Sequence, residues 1–101
     1  MKTVLMMLAL ALSFPTANAS TIIKGSRACI DEEHFDQQVR AKNDNDGQGL
    51  TYLFKNGYCI IINGDYPVSV IDSTWSGKVK VRLYTTGEPV EFWTYFESVK
   101  D

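Results

Sequence analysis

Few residues in this chain have the type and spacing that chemistry demands. The single imidazole, His34, stands beside Glu33 in an acidic stretch. A general base or metal ligand there would need a nucleophile, a second His or a carboxylate one helical turn on, and position 38 is Gln38. His34 therefore reads as a surface or boundary residue. Asp44-Asn45-Asp46-Gly47 has the look of a calcium loop, but aligning its glycine with the obligatory one puts Lys42 at the first ligand position and Leu53 at the last. Neither supplies a carboxylate, so the run reads as a helix-terminating turn and no metal site is expected. Glu88 with Glu91, or Asp65 with Asp72, could in principle form the carboxylate pair of a small hydrolase. Acids at turns and edges are common on any small domain, so that activity ranks last among the alternatives. No catalytic residue and no cofactor is expected, and the chain does not read as an enzyme.

Cys29 and Cys59 are the two cysteines. Redox couples usually stand as Cys-x-x-Cys, whereas these are far apart, which favours a structural disulfide. Residues 1–19 strengthen that reading. Lys2 supplies a positive start, Val4 to Leu12 an apolar run, Pro15 a break, and Ala17-Asn18-Ala19 the small-x-small pattern of a signal-peptidase site. The run is too short to cross a bilayer, which takes about 20 residues, so the segment reads as an export signal cleaved near Ala19. The expected location is the periplasm or the exterior, where disulfides form and persist. Ser26-Arg27-Ala28 does not resemble a lipobox, which argues against a lipid anchor on Cys29.

The remainder is roughly 80 residues, room for one domain with one small core, and a domain of that size commonly needs a covalent staple. The chain carries a net charge of −2, and loss of Lys2 makes it one unit more negative. Nucleic acid and anionic membrane surfaces call for a basic patch, so neither is an expected partner. Asp31, Glu32, Glu33, Asp36, Asp44 and Asp46 face only Arg40 and Lys42 over the same stretch, which reads as the solvated face of a helix.

The elements that would position these residues divide the chain in two. Residues 20–28 read as a loose leader. Asp31 can cap a helix, Glu32 and Glu33 fall in its first turn, Arg40 and Lys42 in its last, and Phe35 with Val39 forms an apolar pair one turn apart. That predicts a helix from about Glu32 to Lys42. From Gly49 to Gly57, Lys55-Asn56-Gly57-Tyr58 could be a hairpin turn. Leu50, Leu53 and Phe54 have helical spacing instead, and a short second helix ending at Gly57 is preferred. From Tyr58 onward the runs Cys59 to Ile62, Val68 to Ile71, Val79 to Tyr84 and Val90 to Tyr95, separated by Gly or Pro turns, predict a four-strand meander. Strict alternation in Lys78 to Leu83 puts Val79, Val81 and Leu83 on a core face and Lys78, Lys80 and Arg82 on a water face.

The stretch Gly57-Tyr58-Cys59-Ile60-Ile61-Ile62, then Val68-Ser69-Val70, Gly77-Lys78-Val79-Lys80-Val81-Arg82, and Phe92-Trp93-Thr94 followed by Glu97-Ser98-Val99 resembles a bacterial SH3-like module. It is similar to small periplasmic proteins in which a cysteine-bearing helical lead precedes such a barrel. The resemblance covers Cys29 to Lys100 in outline and Tyr58 to Val99 in detail. It implies an α+β fold: one or two helices in a lead at 29–57, then a small SH3-like antiparallel β-barrel at 58–101 packed with it as a single disulfide-stapled domain.

The aromatics concentrate in the β half, and composition leaves open which are core and which exposed. Phe92, sharing a face with Val90, is the best core candidate. Tyr66, Trp75, Tyr84, Trp93 and Tyr95 are the candidate binding residues, because rigid exposed rings give contact area at low entropic cost. SH3-like domains bind peptides between aromatic side chains, and the resemblance implies association with cell-wall peptides. The expected function is thus a non-catalytic envelope module binding a protein segment or a peptidoglycan peptide. The alternative is a small inhibitor or immunity factor for an envelope enzyme.

Overall fold

The computed structural model describes residues 20–85 and 87–101; the expected export signal at residues 1–19 lies outside the described residues. Helix α1 spans Glu32–Asn43, and Asp31 caps it by accepting a hydrogen bond from the His34 backbone N–H at 2.8 Å. It stops where Asn45 enters the left-handed region at φ 55°. There the Asn45 N–H reaches back to the Lys42 carbonyl and the Asp46 N–H to that of Ala41, satisfying two carbonyls that the helix end would leave unpaired. Asp46 at once caps helix α2, Gly47–Lys55, by accepting from the Gly49 N–H at 2.9 Å. The same reach-back closes α2, with Gly57 at φ 78° and the Tyr58 N–H bonded to the Leu53 carbonyl at 3.0 Å. The calcium-like run is therefore one helix's terminator joined to the next helix's cap.

The strands are β1 (Ser20–Ile22), β2 (Arg27–Cys29), β3 (Cys59–Ile61), β4 (Tyr66–Ser73), β5 (Lys78–Leu83), β6 (Val90–Tyr95) and β7 (Val99–Lys100). They form one antiparallel sheet in the order β3-β2-β6-β5-β4-β1-β7. Residues 20–28 are not a loose leader. Both of their strands pair inside the sheet, because the backbone edges of β4 and β6 need partners and Ile22 and Ala28 bury almost completely there. The meander is also shorter than expected. It comprises β4, β5 and β6, while β3 pairs with β2 at the far edge.

Two cores flank this sheet. One gathers Ile22, Ala28, Ile62, Val68, Val79, Val81 and Leu83, with Phe92 and Val99 packed against it. Strands from both ends of the sheet order contribute to it, so the sheet bends around this core without closing, and β3 and β7 remain edges. The other core lies under the helices: Cys29, Phe35, Leu53, Cys59 and Trp93. Cys29 and Cys59 are directly opposed in the β2–β3 ladder and joined by the disulfide, with Cα atoms 3.9 Å apart.

The expected water face of β5 keeps Lys80 and Arg82 partly exposed, but its Lys78 end is a docking face. Lys78 donates to Glu32 at 2.7 Å and to Asp36 at 2.8 Å, so part of the acidic helix surface is turned onto the sheet. Phe92 is half-buried and Val90 exposed, whereas Trp93 on the opposite face of β6 is the deeply buried ring, because the helices cover that face.

Candidate functional site

The turn between β4 and β5 is built to hold a side chain outward. The Gly77 N–H donates to the Thr74 carbonyl, the Thr74 N–H donates to the Lys78 carbonyl at 2.9 Å, and the Thr74 hydroxyl sits 3.1 Å from that of Ser76. Gly77 takes φ 87°, the left-handed position that a three-residue hairpin connection needs. Trp75, one step into this turn, is 105 % exposed. Such a ring contributes nothing to the fold it projects from.

A second hydrogen bond brings a partner to it. The Phe96 N–H donates to the Gly77 carbonyl at 2.7 Å, tying the 3₁₀ turn Phe96–Ser98 to the β4–β5 turn. Phe96 is 65 % exposed and lines the same groove as Trp75. The register of β4 slips between Val70 and Asp72, so Val70 and Ile71 are both exposed at this end of the strand. Both rings line one groove of about 470 Å³, together with Val70, Val79 and Val99 and the polar Ser73, Thr74, Lys78 and Asp101.

The five aromatics expected to bind do not form one surface. Trp75 lies at one end of β5 and Tyr84 just beyond the other. The Tyr84 hydroxyl is 3.0 Å from that of Ser69; that contact, then nearby Arg82, holds its phenol below the ordinary tyrosine value. Tyr66 is half-buried and donates to Asn63. Tyr95 stands edge-on to Phe35 with ring centroids 5.0 Å apart, and lines a different recess. Trp93 is 8 % exposed beside the disulfide and cannot meet a ligand at the surface. The residues that do join Trp75 are Phe96, Val70 and Val99. Phe96 directly continues the β6 run, and only the 3₁₀ turn swings it out of the strand pattern.

Of the groups considered for catalysis, His34, Glu91, Asp65 and Asp72 are engaged locally. His34 stacks on Tyr58 at 4.1 Å, and its Nδ1 donates to Asp31 Oδ1 at 2.7 Å. Glu91 accepts from Arg82 at 3.1 Å and pairs with Lys80 at 3.5 Å; first Arg82 and then Lys80 hold its carboxyl below the usual range. Asp65 accepts the Lys24 N–H and Asp72 the Ser73 N–H. Among the described residues no group of three His, Cys, Asp or Glu converges as a metal site, and no helix is long and apolar enough to cross a membrane. No family model matches the chain, and neither a curated protein nor a solved structure matches it.

Proposed function

We propose that this protein is an exported, non-catalytic binding module that seats an extended peptide segment in the groove between Trp75 and Phe96. The observation that carries this reading is the full exposure of Trp75 on a turn fixed by its own hydrogen bonds, opposite a second exposed ring. Large apolar side chains held rigidly in water contribute to association by being covered, and they cost little entropy when they are. The three valines and two aromatic rings of the lining suit the apolar side chains of a peptide, and Ser73, Thr74 and Asp101 offer its backbone polar partners. Edge strand β7 borders the groove through Val99, so an extended chain could add to the sheet while its side chains meet the rings.

An SH3-like relationship is supported by the run β4-β5-β6 followed by a 3₁₀ turn and a last strand beside β1. Export is supported by the sequence of residues 1–19 and by a disulfide between the only two cysteines. Binding in place of catalysis is supported by the local engagement of His34, Asp65, Asp72 and Glu91.

Retention assays on purified peptidoglycan and on envelope protein extract, with wild type, Trp75→Ala and Phe96→Ala, test the proposal. Wild type is expected to be retained on one matrix and both variants to lose about tenfold or more, the scale of one truncated aromatic anchor. Peptidoglycan retention identifies a wall-peptide ligand; a single stoichiometric protein identifies an envelope partner and admits the inhibitor role. Equal retention of variants and wild type would refute the groove as the site.

A further inference from the structure

Beneath the C-terminal half of α1, away from the Trp75 groove, lies a recess of about 340 Å³ whose charge is one-sided. Arg27 and Lys42 line it, and among the described residues no carboxylate does. Arg27 is carried on β2 on the same face as Cys29; continuing the Cys29–Trp93 register by two residues brings it opposite Tyr95, which forms another wall. Its Nη1 is buried with no hydrogen-bond partner. An orphaned donor on a permanent cation is among the costlier arrangements a protein can hold, and such donors are normally paired. Neither Arg27 nor Lys42 makes an ion pair among the described residues, although the chain has 12 acids to place. Glu97 lies in the adjoining shallow depression with Lys24, not in this recess.

The neutral lining is equally informative. Gln38 is 2 % exposed, and its amide nitrogen has only a long 3.4 Å contact to the Phe35 carbonyl, which leaves donor capacity at the recess. Asn43 and Ser98 add further hydrogen-bonding groups. We infer that this recess binds a small hydroxylated carboxylic acid, with the half-buried Arg27 guanidinium, whose Nη1 is closed to solvent in the free protein, turning onto the carboxylate as the acid enters, Lys42 as the second positive charge, and the Gln38, Asn43 and Ser98 side chains on the hydroxyls. A planar guanidinium matches a carboxylate edge to edge. The C-terminal end of α1 also meets the recess, and its partial negative charge opposes any anion there, a phosphate dianion about twice as strongly as a single carboxylate. This site is independent of the peptide groove.

The test is a ¹⁵N-edited NMR titration of the oxidised protein with sodium glucuronate, sodium acetate, sodium phosphate and glucose, at ionic strength held constant with sodium chloride. The expected result is saturable shifts at the Ser26, Arg27, Gln38 and Asn43 amides with glucuronate, with a dissociation constant of order 1 mM. Acetate should bind the same amides about tenfold more weakly, and glucose should leave them unmoved. Arg27→Gln should weaken glucuronate at least tenfold, and Lys42→Gln, at an exposed position on the last turn of α1, about threefold. Should Arg27→Gln fail to fold, Lys42→Gln decides alone. Unsaturable shifts, acetate or phosphate binding as tightly as glucuronate, an equal response to glucose, or Lys42→Gln titrating as wild type would each overturn the inference.

Discussion

Replacing Lys78 by methionine isolates the ionic contact between α1 and the sheet. The Lys78 side chain is 12 % exposed and its Nζ lies 2.7 Å from Glu32 and 2.8 Å from Asp36. Methionine keeps the apolar stem that crosses the sheet and removes only the charge. Breaking a fully buried ion pair costs about 3–5 kcal/mol, because a charge is stranded without water. Exposed pairs are worth about 0.2–1 kcal/mol. Both carboxylates here are 44 % exposed and can rehydrate once the ammonium is gone, which places the loss nearer the exposed limit, at about 1–2 kcal/mol. For a domain of this size that lowers Tm by about 5–12 °C. Urea and thermal unfolding with the disulfide intact measure it, and a cycle with Glu32→Gln/Asp36→Asn should show a coupling of about 1 kcal/mol. Asp36, then Glu32, raise the Lys78 ammonium above its ordinary value. A raised pKa makes its contribution complete below about 10.4 and lost only as pH rises through the folded value, so the variant's deficit should persist at neutral pH. A Lys78→Met protein as stable as wild type, with no coupling, would refute the view that this cation anchors α1.

Three further outcomes follow from local geometry. Replacing Cys29 and Cys59 together by alanine opens a loop of sequence separation 30, which should cost about 3.5 kcal/mol on the chain-entropy account and depress Tm by about 15–25 °C; a drop within a few degrees would show that the bridge adds little to the fold. Asn45→Val puts a β-branched residue at φ 55° and should cost about 1–2 kcal/mol, whereas Asn45→Gly should leave stability unchanged or raised; equal losses in both would disprove the left-handed terminator. Asp31→Ala should cost about 1 kcal/mol by removing the α1 cap. The His34 backbone N–H is the chief cause holding the Asp31 carboxyl below its ordinary 3.8, so the cap's contribution is present above that value and lost as pH falls through the lower folded one. The variant's deficit in acid titrations should shrink as pH falls below about 3.8.

Whatever a few neighbouring residues can settle was legible in the sequence. Asp31 and Gly57 mark helix boundaries because caps and left-handed stops are satisfied within one turn of chain, whereas Asp46, read as part of the terminating turn, also caps α2. The alternation of Lys78 to Leu83 fixed which face of β5 is apolar. The two cysteines, their separation and the export expected from residues 1–19 together pointed to the disulfide. Only the tertiary structure decided how those elements pair. Strands of three residues, such as Ser20–Ile22 and Arg27–Cys29, carry too little periodicity to be seen alone, and they exist because long-range ladders recruit them. That pairing buries Trp93 under the helices, turns Lys78 toward the acids of α1 and strands the Arg27 Nη1 beside an acid-free recess. It also ties Phe96 to Gly77, which is what brings two exposed rings to one groove. Residue type says what a side chain can do; which neighbours it meets across the sheet is set by loop closure and strand register, and these are properties of the whole chain.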